Sequence, residues 1–228
     1  METKHNQGRT AAMKRIIIVC EGPTEQEFCY NVLAPEFIKY NITLEAPLIK
    51  HSHGGIVSWK TLKSQLINHL YESDVYVSML IDYYGIKKNH MFPGWQEAQE
   101  ITDKYTRMTF LFENMKNDLP TQVKNRFLPY IQLHEFEGLL FSDINVMRNS
   151  FTKEELNINA LQEAVNKYEN PEMINDHPNT APSKRLESAI CGYDKVLYGN
   201  ILAMDIGLEK IREKCPSFNE WITRMLTI

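Results

Sequence analysis

Acidic side chains recur where the predicted buried strands of this sequence end. Glu21 follows a run of β-branched residues, Asp82 follows a second apolar run, and Glu135 and Glu137 follow a third. The carboxyl ends of parallel strands meet at one edge of a sheet, which is where open α/β sheets place their ligands. We therefore expect these carboxylates to converge and to hold a divalent cation through oxygen ligands. Acids at three separate strand ends indicate such a site more specifically than any one of them.

The turn after the first strand adds another acid. A turn at Gly22 leads the chain into a helix that we expect Thr24 to cap, with Glu27 as its capping-box partner. Glu25 then falls in the first turn of that helix, close to the first strand-end acid, and is a further candidate metal ligand. The alternative is that Glu25 and Glu27 only complement the helix dipole.

A hydroxyl and two cations stand together at the start of a later predicted helix, at Ser183, Lys184 and Arg185. Backbone amides at a helix N-terminus, together with basic side chains, suit an anionic phosphate. We therefore treat these three residues as a candidate phosphate-binding group. The alternative is that Ser183 is an ordinary N-cap and that both cations are solvated.

The loop after Asp82 is rich in aromatic and basic residues. They are Tyr83, Tyr84, Lys87, Lys88, His90, Phe92 and Trp95. Such a loop beside a carboxylate site suits a nucleic acid, which it would hold by base stacking and phosphate contacts. The alternative, which we favour for the segment from Phe92 to Trp95, is that these side chains pack the loop onto the protein.

Hydrophobic periodicity predicts the elements that position these residues. Strands are predicted over 14–20, 43–50, 75–82 and 126–133, and helices over 25–40, 56–71, 96–116 and 151–168, with two more between 193 and 228. Pro129 favours an edge position for the last strand, and Pro35 a kink in the first helix. This pattern predicts an α/β fold with a doubly wound, mainly parallel four-stranded sheet. We expect a flexible lead over 1–13, a catalytic domain over 14–142 and a helical C-terminal extension over 143–228 packed on it.

Composition narrows the class of protein. The chain has 228 residues and a net charge of −4, which argues against binding long nucleic acid through a global positive field. The first fourteen residues lack the apolar core of a signal peptide, and no apolar run reaches membrane-spanning length, so we expect a cytoplasmic protein. The four cysteines lack Cys-x-x-Cys spacing, which favours reduced thiols over a zinc site.

Four motifs together resemble a known family. They are Val-Cys-Glu-Gly-Pro-Thr-Glu at 19–25, Leu-Ile-Asp-Tyr-Tyr-Gly at 80–85, His-Glu-Phe-Glu-Gly-Leu-Leu-Phe at 134–141 and Thr-Ala-Pro-Ser-Lys-Arg-Leu at 180–186. The acidic motifs are similar to the Toprim domain, the metal-dependent phosphoryl-transfer module of topoisomerases, primases and the overcoming-lysogenisation-defect (OLD) nucleases. The set resembles a bacterial Toprim-like family of uncharacterised function, whose genes often lie beside ATPases in presumed phage-defence loci.

The resemblance implies roles for individual residues. Glu21 matches the Toprim glutamate that acts as general acid/base or metal ligand, and Glu25 matches the second acid of the OLD-type opening. Asp82 matches the first aspartate of an Asp-x-Asp pair whose second position is Tyr84 here. That difference weakens two-metal catalysis, unless Glu135 or Glu137 supplies the missing ligand. Lys184 is the candidate for the basic residue that OLD-like nucleases set beside the scissile phosphate.

The expected function is that of a Mg²⁺- or Mn²⁺-dependent nuclease acting on DNA or RNA, with an ATPase as partner protein. Oxygen ligands without thiolates favour these hard ions over zinc. One alternative is a non-catalytic effector or regulatory subunit of an ATPase complex, which fits the missing second aspartate. Another is a small-molecule phosphohydrolase, because a compact site with few surrounding cations suits small substrates.

Overall fold

A four-stranded, all-parallel sheet organises the part of the chain that the structure describes, with strand order β2-β1-β3-β4. The structure is a computed structural model and describes residues 13–52, 55–175 and 177–228. The predicted flexible lead over 1–13 lies outside these ranges, apart from Met13. The strands are β1 (Lys14–Cys20), β2 (Ile42–Glu45), β3 (Val75–Leu80) and β4 (Phe127–Leu128). The predicted parallel α/β sheet is therefore confirmed.

β1 is a central strand because its side chains are apolar on both faces. The residues from Ile16 to Cys20 are all buried, as expected for a strand that helices cover on both sides. β1 pairs with β3 in register from Arg15 opposite Val75 to Cys20 opposite Leu80. The strand-end acids that follow these two strands are therefore brought to the same edge of the sheet.

The order of the strands creates a crevice at that edge. The chain leaves β1 for β2 on one side and then crosses back to β3 and β4 on the other side. The direction of winding therefore reverses between β1 and β3. In open α/β sheets, ligands bind outside the carboxyl ends of the strands at this kind of switch point.

The helices of the described residues occupy both faces of the sheet. They are α1 (Pro23–Phe28), α2 (Ala34–Phe37), α3 (Trp59–Leu70), α4 (Trp95–Ala98), α5 (Lys104–Asn117), α6 (Ile144–Ser150), α7 (Ile158–Lys167), α8 (Pro182–Ala189), α9 (Lys195–Ile206), α10 (Leu208–Lys214) and α11 (Pro216–Leu226). On one face, the rings of Phe28 in α1 and Phe218 in α11 lie 6.0 Å apart. On the other, Trp59 of α3 donates a 2.6 Å hydrogen bond to Asp118, the C-cap of α5. Right-handed crossovers that run in opposite directions along a sheet place their helices on opposite faces, so the fold is doubly wound.

The first helical region differs from the prediction at its start and in its middle. Gly22, rather than Thr24, is the N-cap, and its N–H donates to Glu25 Oε2 at 2.9 Å. The predicted partnership of Thr24 with Glu27 was therefore wrong, because the helix begins two residues earlier. Between α1 and α2 the chain forms a π turn over Cys29–Leu33. The proline in the first turn of α2 lacks an N–H for the preceding turn, and a wider turn accommodates that loss.

Prolines also shorten two strands relative to the prediction. β2 ends before Pro47, and β4 ends before Pro129, since proline cannot donate to a ladder. β4 lies at the edge of the sheet, as the proline indicated. Beyond it the chain returns to β3 at a bridge between Asp82 and Gln132. That bridge brings the third acidic segment to the carboxyl end of β3.

Three helical predictions were wrong in their boundaries. The segment 96–116 forms α4 and α5, because Asp103 caps a new helix by accepting from Thr106 N at 2.8 Å. The helix predicted from Phe151 begins at Ile158, with Asn157 as its N-cap. The C-terminal segment forms α9, α10 and α11 rather than two helices, because the chain turns at Gly207, whose φ is +79°, and again before α11.

One hydrophobic core joins the sheet to the C-terminal helices. Trp221 of α11 stacks on Tyr130 with ring centroids 4.3 Å apart and donates to Ser78 Oγ of β3 at 2.8 Å. All three residues are fully buried. No helix within the described ranges is long and apolar enough to span a membrane.

Candidate active site

Glu21 and Asp82 meet at the switch point of the sheet. The backbone N–H of Asp82 donates to Glu21 Oε2 at 2.9 Å, which links the first residue after β1 to the segment after β3. Asp82 is buried, and its Oδ1 accepts from Phe136 N at 2.9 Å. The two acids predicted to converge are therefore brought together.

Backbone amides orient these carboxylates. Glu21, Glu25 and Asp82 each use one oxygen to accept a backbone N–H, at 2.9 Å in each case. Such bonds fix the direction of a carboxylate and leave its second oxygen for a cation. In each of these three carboxylates, one oxygen is fixed by a backbone amide and the other takes no part in that bond.

Glu137 is the most enclosed of the acids. It lies in a 3₁₀ segment, Phe136–Ser142, and is fully buried. Its Oε1 lies 3.0 Å from the ammonium of Lys195. Its Oε2 is buried and has no hydrogen-bond partner among the described residues. A buried carboxylate oxygen without a donor is costly, and a bound cation would satisfy it.

Lys195 is a site residue that the sequence analysis missed. It is the first residue of α9, and its Nζ lies 3.0 Å from Glu137 Oε1 and 4.0 Å from Asp82 Oδ2. Its side chain as a whole remains 44% exposed. In the sequence, Lys195 is simply a lysine that follows the N-cap Asp194, as at many helix starts. Its position among the acids follows from the packing of α9 on α1.

Burial raises the pKa values of the acids in this cluster. Burial raises the pKa of Glu21 and of Glu25, and it raises that of Asp82 well above its usual range, where the charges of Glu25, Glu21 and Glu137 add to the effect. Burial also raises the pKa of Glu137, to about 7, against the opposing charge of Lys195.

The ammonium shows the complementary effect. Burial favours loss of its proton, but the charges of Glu137, Asp82 and Glu25 hold the pKa of Lys195 above its ordinary value. One ammonium thus faces a cluster of four carboxylates, Glu21, Glu25, Asp82 and Glu137, and burial raises the pKa of each of them. This imbalance is the main electrostatic property of the site.

The donor set fits a hard divalent ion. No group of three or more His, Cys, Asp and Glu side chains in the described ranges is arranged to hold a metal ion as it stands. Mg²⁺, however, usually takes one or two carboxylates and completes its shell with water and substrate phosphate. Asp82 and Glu137, which flank Lys195 and include the unpartnered Oε2, meet that smaller requirement.

Glu135 and the predicted phosphate-binding group have partners of their own. Glu135 Oε2 accepts from the backbone N–H of Ser183 at 3.0 Å, so this carboxylate is an anion bound at the N-terminus of α8. The N-cap of α8 is Ala181 rather than Ser183. Lys184 pairs with Glu187 at 2.6 Å and is half-exposed. Arg185 donates to Thr180 O at 2.8 Å and lies over the ring of Tyr168.

The aromatic loop divides into packed and exposed parts. Phe92 is buried against Trp59, with ring centroids 5.4 Å apart, and Trp95 packs on Tyr83 at 5.2 Å. Packing thus accounts for Phe92 and Trp95, the interpretation favoured for that segment. Tyr84 is 37% exposed beside the acids.

Comparison with known proteins gives a family but no characterised relative. Neither the curated proteins nor the solved structures contain a match to the chain. The family described as "Domain of unknown function (DUF4276)" matches residues 20–226, which include every acid of the cluster and Lys195. Because this match spans most of the sequence, the chain belongs to the DUF4276 family.

Proposed function

We propose that this protein is a Mg²⁺- or Mn²⁺-dependent nuclease that hydrolyses phosphodiester bonds of DNA or RNA. The observation that carries the proposal is the convergence of Glu21, Glu25, Asp82 and Glu137 around one ammonium at the switch point of the sheet. The resemblance to Toprim and OLD nucleases supports a polynucleotide substrate. It also supports a cytoplasmic role in phage defence with an ATPase partner.

Asp82 and Glu137 are the residues that would hold the ion, with Glu21 and Glu25 beside them. A bound Mg²⁺ supplies Lewis-acid polarisation of a phosphate oxygen and lowers the pKa of bound water. Glu21, whose carboxylate is held by the Asp82 amide, would serve as the general base for an attacking water. These roles are proposals for this chain that rest on the positions of the side chains.

Lys195 takes the role for which the sequence suggested Lys184. Its side chain is partly exposed, and its ammonium lies among the acids, where it would offset charge on a bound phosphate. Lys184 instead makes a surface pair with Glu187 in the same helix. We therefore assign the basic catalytic role to Lys195 within this proposal.

Titration calorimetry with Mn²⁺, run beside a cleavage assay on single- and double-stranded DNA and RNA, tests the proposal. Wild type should bind Mn²⁺ and cleave at least one polymer. Glu21→Gln and Asp82→Asn should each lose cleavage by a hundredfold or more, on the order of the effects seen for groups that act on the transition state. Glu27→Gln is the matched control, because Glu27 is exposed on α1 and its carboxylate accepts a 3.0 Å hydrogen bond from Asn31.

Melting temperatures distinguish variants that have lost catalysis from variants that have lost the fold. Each variant should unfold within a few degrees of wild type, with cleavage by Glu27→Gln unchanged. Cleavage that persists in Asp82→Asn would refute the assignment. Hydrolysis of bis-p-nitrophenyl phosphate without any effect on polymers would instead indicate a small-molecule phosphohydrolase.

A regulatory subunit of an ATPase complex is the second candidate. Lys195 already pairs with Glu137, and Tyr84 stands where Toprim enzymes have their second aspartate, so the cluster is partly neutralised without a metal. This candidate predicts no Mn²⁺ binding and no cleavage by wild type. It also predicts stable co-purification with an ATPase encoded beside it.

A further inference from the structure

Tyr84 is an exposed aromatic side chain directly beside the carboxylate cluster. It lies two residues after Asp82 in a short 3₁₀ turn, Tyr83–Gly85, and the residue is 37% exposed. The next residue, Gly85, lies against Glu21, since a Cβ there would be only 3.1 Å from Glu21 Oε1. The ring is therefore presented at the rim of the proposed catalytic site.

The backbone of Tyr84 is anchored to His134. Its N–H donates to the carbonyl oxygen of His134 at 3.1 Å, and the two rings meet edge to face with centroids 6.2 Å apart. His134 has a φ of +65° and leads into the acidic segment that carries Glu135 and Glu137. The ring thus sits on a backbone that is tied to the site, which reduces the entropy lost when it binds a ligand.

The neighbouring tyrosine of the same turn is packed, in contrast to Tyr84. The Tyr83 ring packs on Trp95, and its hydroxyl lies within hydrogen-bond distance of Gln99 and Arg107. Tyr83 is therefore committed to internal packing. Tyr84 keeps a surface free to receive a planar group.

Basic side chains occur in the loop that carries Tyr84 and beside His134, the residue whose ring contacts it. Lys87 and Lys88 are exposed in the same loop, and the ammonium of Lys104 lies 3.1 Å from His134 Nε2. An exposed aromatic ring with lysines in its own loop, next to a carboxylate site, suits single-stranded nucleic acid. The lysines suit phosphates and the ring suits a base.

We propose that Tyr84 stacks on an unpaired nucleobase next to the bond to be cleaved, so that the substrate is a single-stranded nucleic acid. This inference rests on the proposed nuclease function and names its substrate class. Bases within a duplex already stack on their neighbours on both faces, so a duplex cannot offer a base to this ring without distortion. The site should therefore prefer single strands, loops or frayed ends.

Binding measured without cleavage separates this inference from the catalytic proposal. Fluorescence anisotropy in the Asp82→Asn background with Mn²⁺ compares a labelled single-stranded oligonucleotide, its duplex and a single strand built of abasic residues. Adding Tyr84→Ala should weaken binding of the normal single strand by about fivefold to a hundredfold, since base–aromatic stacking contributes about 1–3 kcal/mol. Adding Tyr84→Phe should keep the affinity, because the ring remains.

The matched control is Tyr71→Ala. Tyr71 is 61% exposed but caps the end of α3, before β3 begins, at the opposite edge of the sheet. The Tyr71→Ala substitution should leave the affinities for all three oligonucleotides unchanged. Equal loss by Tyr84→Ala on the normal and abasic strands, or duplex bound as tightly as single strand, would overturn the inference. So would failure of the single strand to bind at all. Cleavage absent from wild type while stacking persists would refute only the nuclease proposal.

Discussion

At the scale of single residues, Lys195 decides the electrostatics of the candidate site. Four carboxylates lie around its ammonium, and burial raises the pKa of each of them. Removing one partner from a buried charge cluster leaves the other charges uncompensated, which is destabilising. A divalent ion can supply the same compensation with a larger charge. We therefore expect Lys195 and a metal ion each to stabilise the ionised form of the same acids.

We predict that Lys195→Met lowers stability in a metal-dependent way. At pH 7.5 in EDTA, its free energy of unfolding should fall by about 1–3 kcal/mol, a modest value because the side chain is partly exposed. Excess Mn²⁺ should raise the melting temperature of this variant by more than it raises that of wild type. Lys184→Met, which loses only a surface pair with Glu187, is the control and should change little. Equal melting temperatures for the two variants in EDTA would contradict the prediction.

At the scale of the elements, two helices, α8 and α11, take their N-terminal partners from distant segments. Glu135 accepts from the first turn of α8, and Glu172 accepts from the first turn of α11 through Ser217 N and Phe218 N, both at 2.9 Å. Glu172 is fully buried, and burial raises its pKa to about 7 although the two amides oppose the shift. Its carboxylate thus fastens α11 to the turn that contains it.

The Glu172 cap predicts a pH dependence of stability. Because its pKa is about 7 in the folded protein and near 4.5 when unfolded, the folded state binds more protons between these values. The contribution of Glu172 to stability therefore falls as pH rises from about 4.5 to about 7 and is constant above. The slope is about 1.4 kcal/mol per pH unit at most. Nearby Tyr105 and Cys215, whose pKa values burial raises, stay protonated throughout.

Thermal unfolding of wild type and Glu172→Gln between pH 5 and pH 8 measures this effect. The stability advantage of wild type over the variant should be largest near pH 5 and should shrink toward pH 8. Glu163→Gln, at an exposed position of α7, should show a constant difference from wild type. A difference between wild type and Glu172→Gln that does not vary with pH would show that Glu172 does not titrate in this range.

At the scale of the whole molecule, the C-terminal helices complete both the core and the site. Trp221 covers Tyr130 and bonds to Ser78 of β3, and Phe218 packs on Phe28. Lys195 of α9 supplies the cation of the acid cluster. A fragment that ends at residue 142 would lose all of these contacts and would expose the apolar surface beneath them.

We therefore predict that residues 14–142 do not fold independently. The fragment should lack a cooperative thermal transition by circular dichroism and should be digested by trypsin much faster than the full chain, because buried aromatic side chains of this size each contribute about 3–5 kcal/mol. The full chain, digested under the same conditions, is the control. A cooperative transition in the fragment would show that residues 143–228 are a separable extension.

The sequence by itself determined the sheet and its acidic edge. The buried runs before Glu21 and Asp82 are local signals, and parallel strands necessarily bring their carboxyl ends together. Prolines in the sequence also marked the edge strand and the interrupted first helix. These features follow from interactions between residues close in the chain.

Only the tertiary structure decided which charged groups face one another. Lys195 reaches Glu137 through the packing of α9, and Glu135 meets Ser183 through the placement of α8. Both partnerships join segments that no local pattern connects. The predicted N-cap Ser183 was wrong for a related reason, because α8 takes Glu135 from elsewhere in the fold as the partner of its first turn. Local periodicity specifies the elements, whereas long-range packing selects the partners of buried charge.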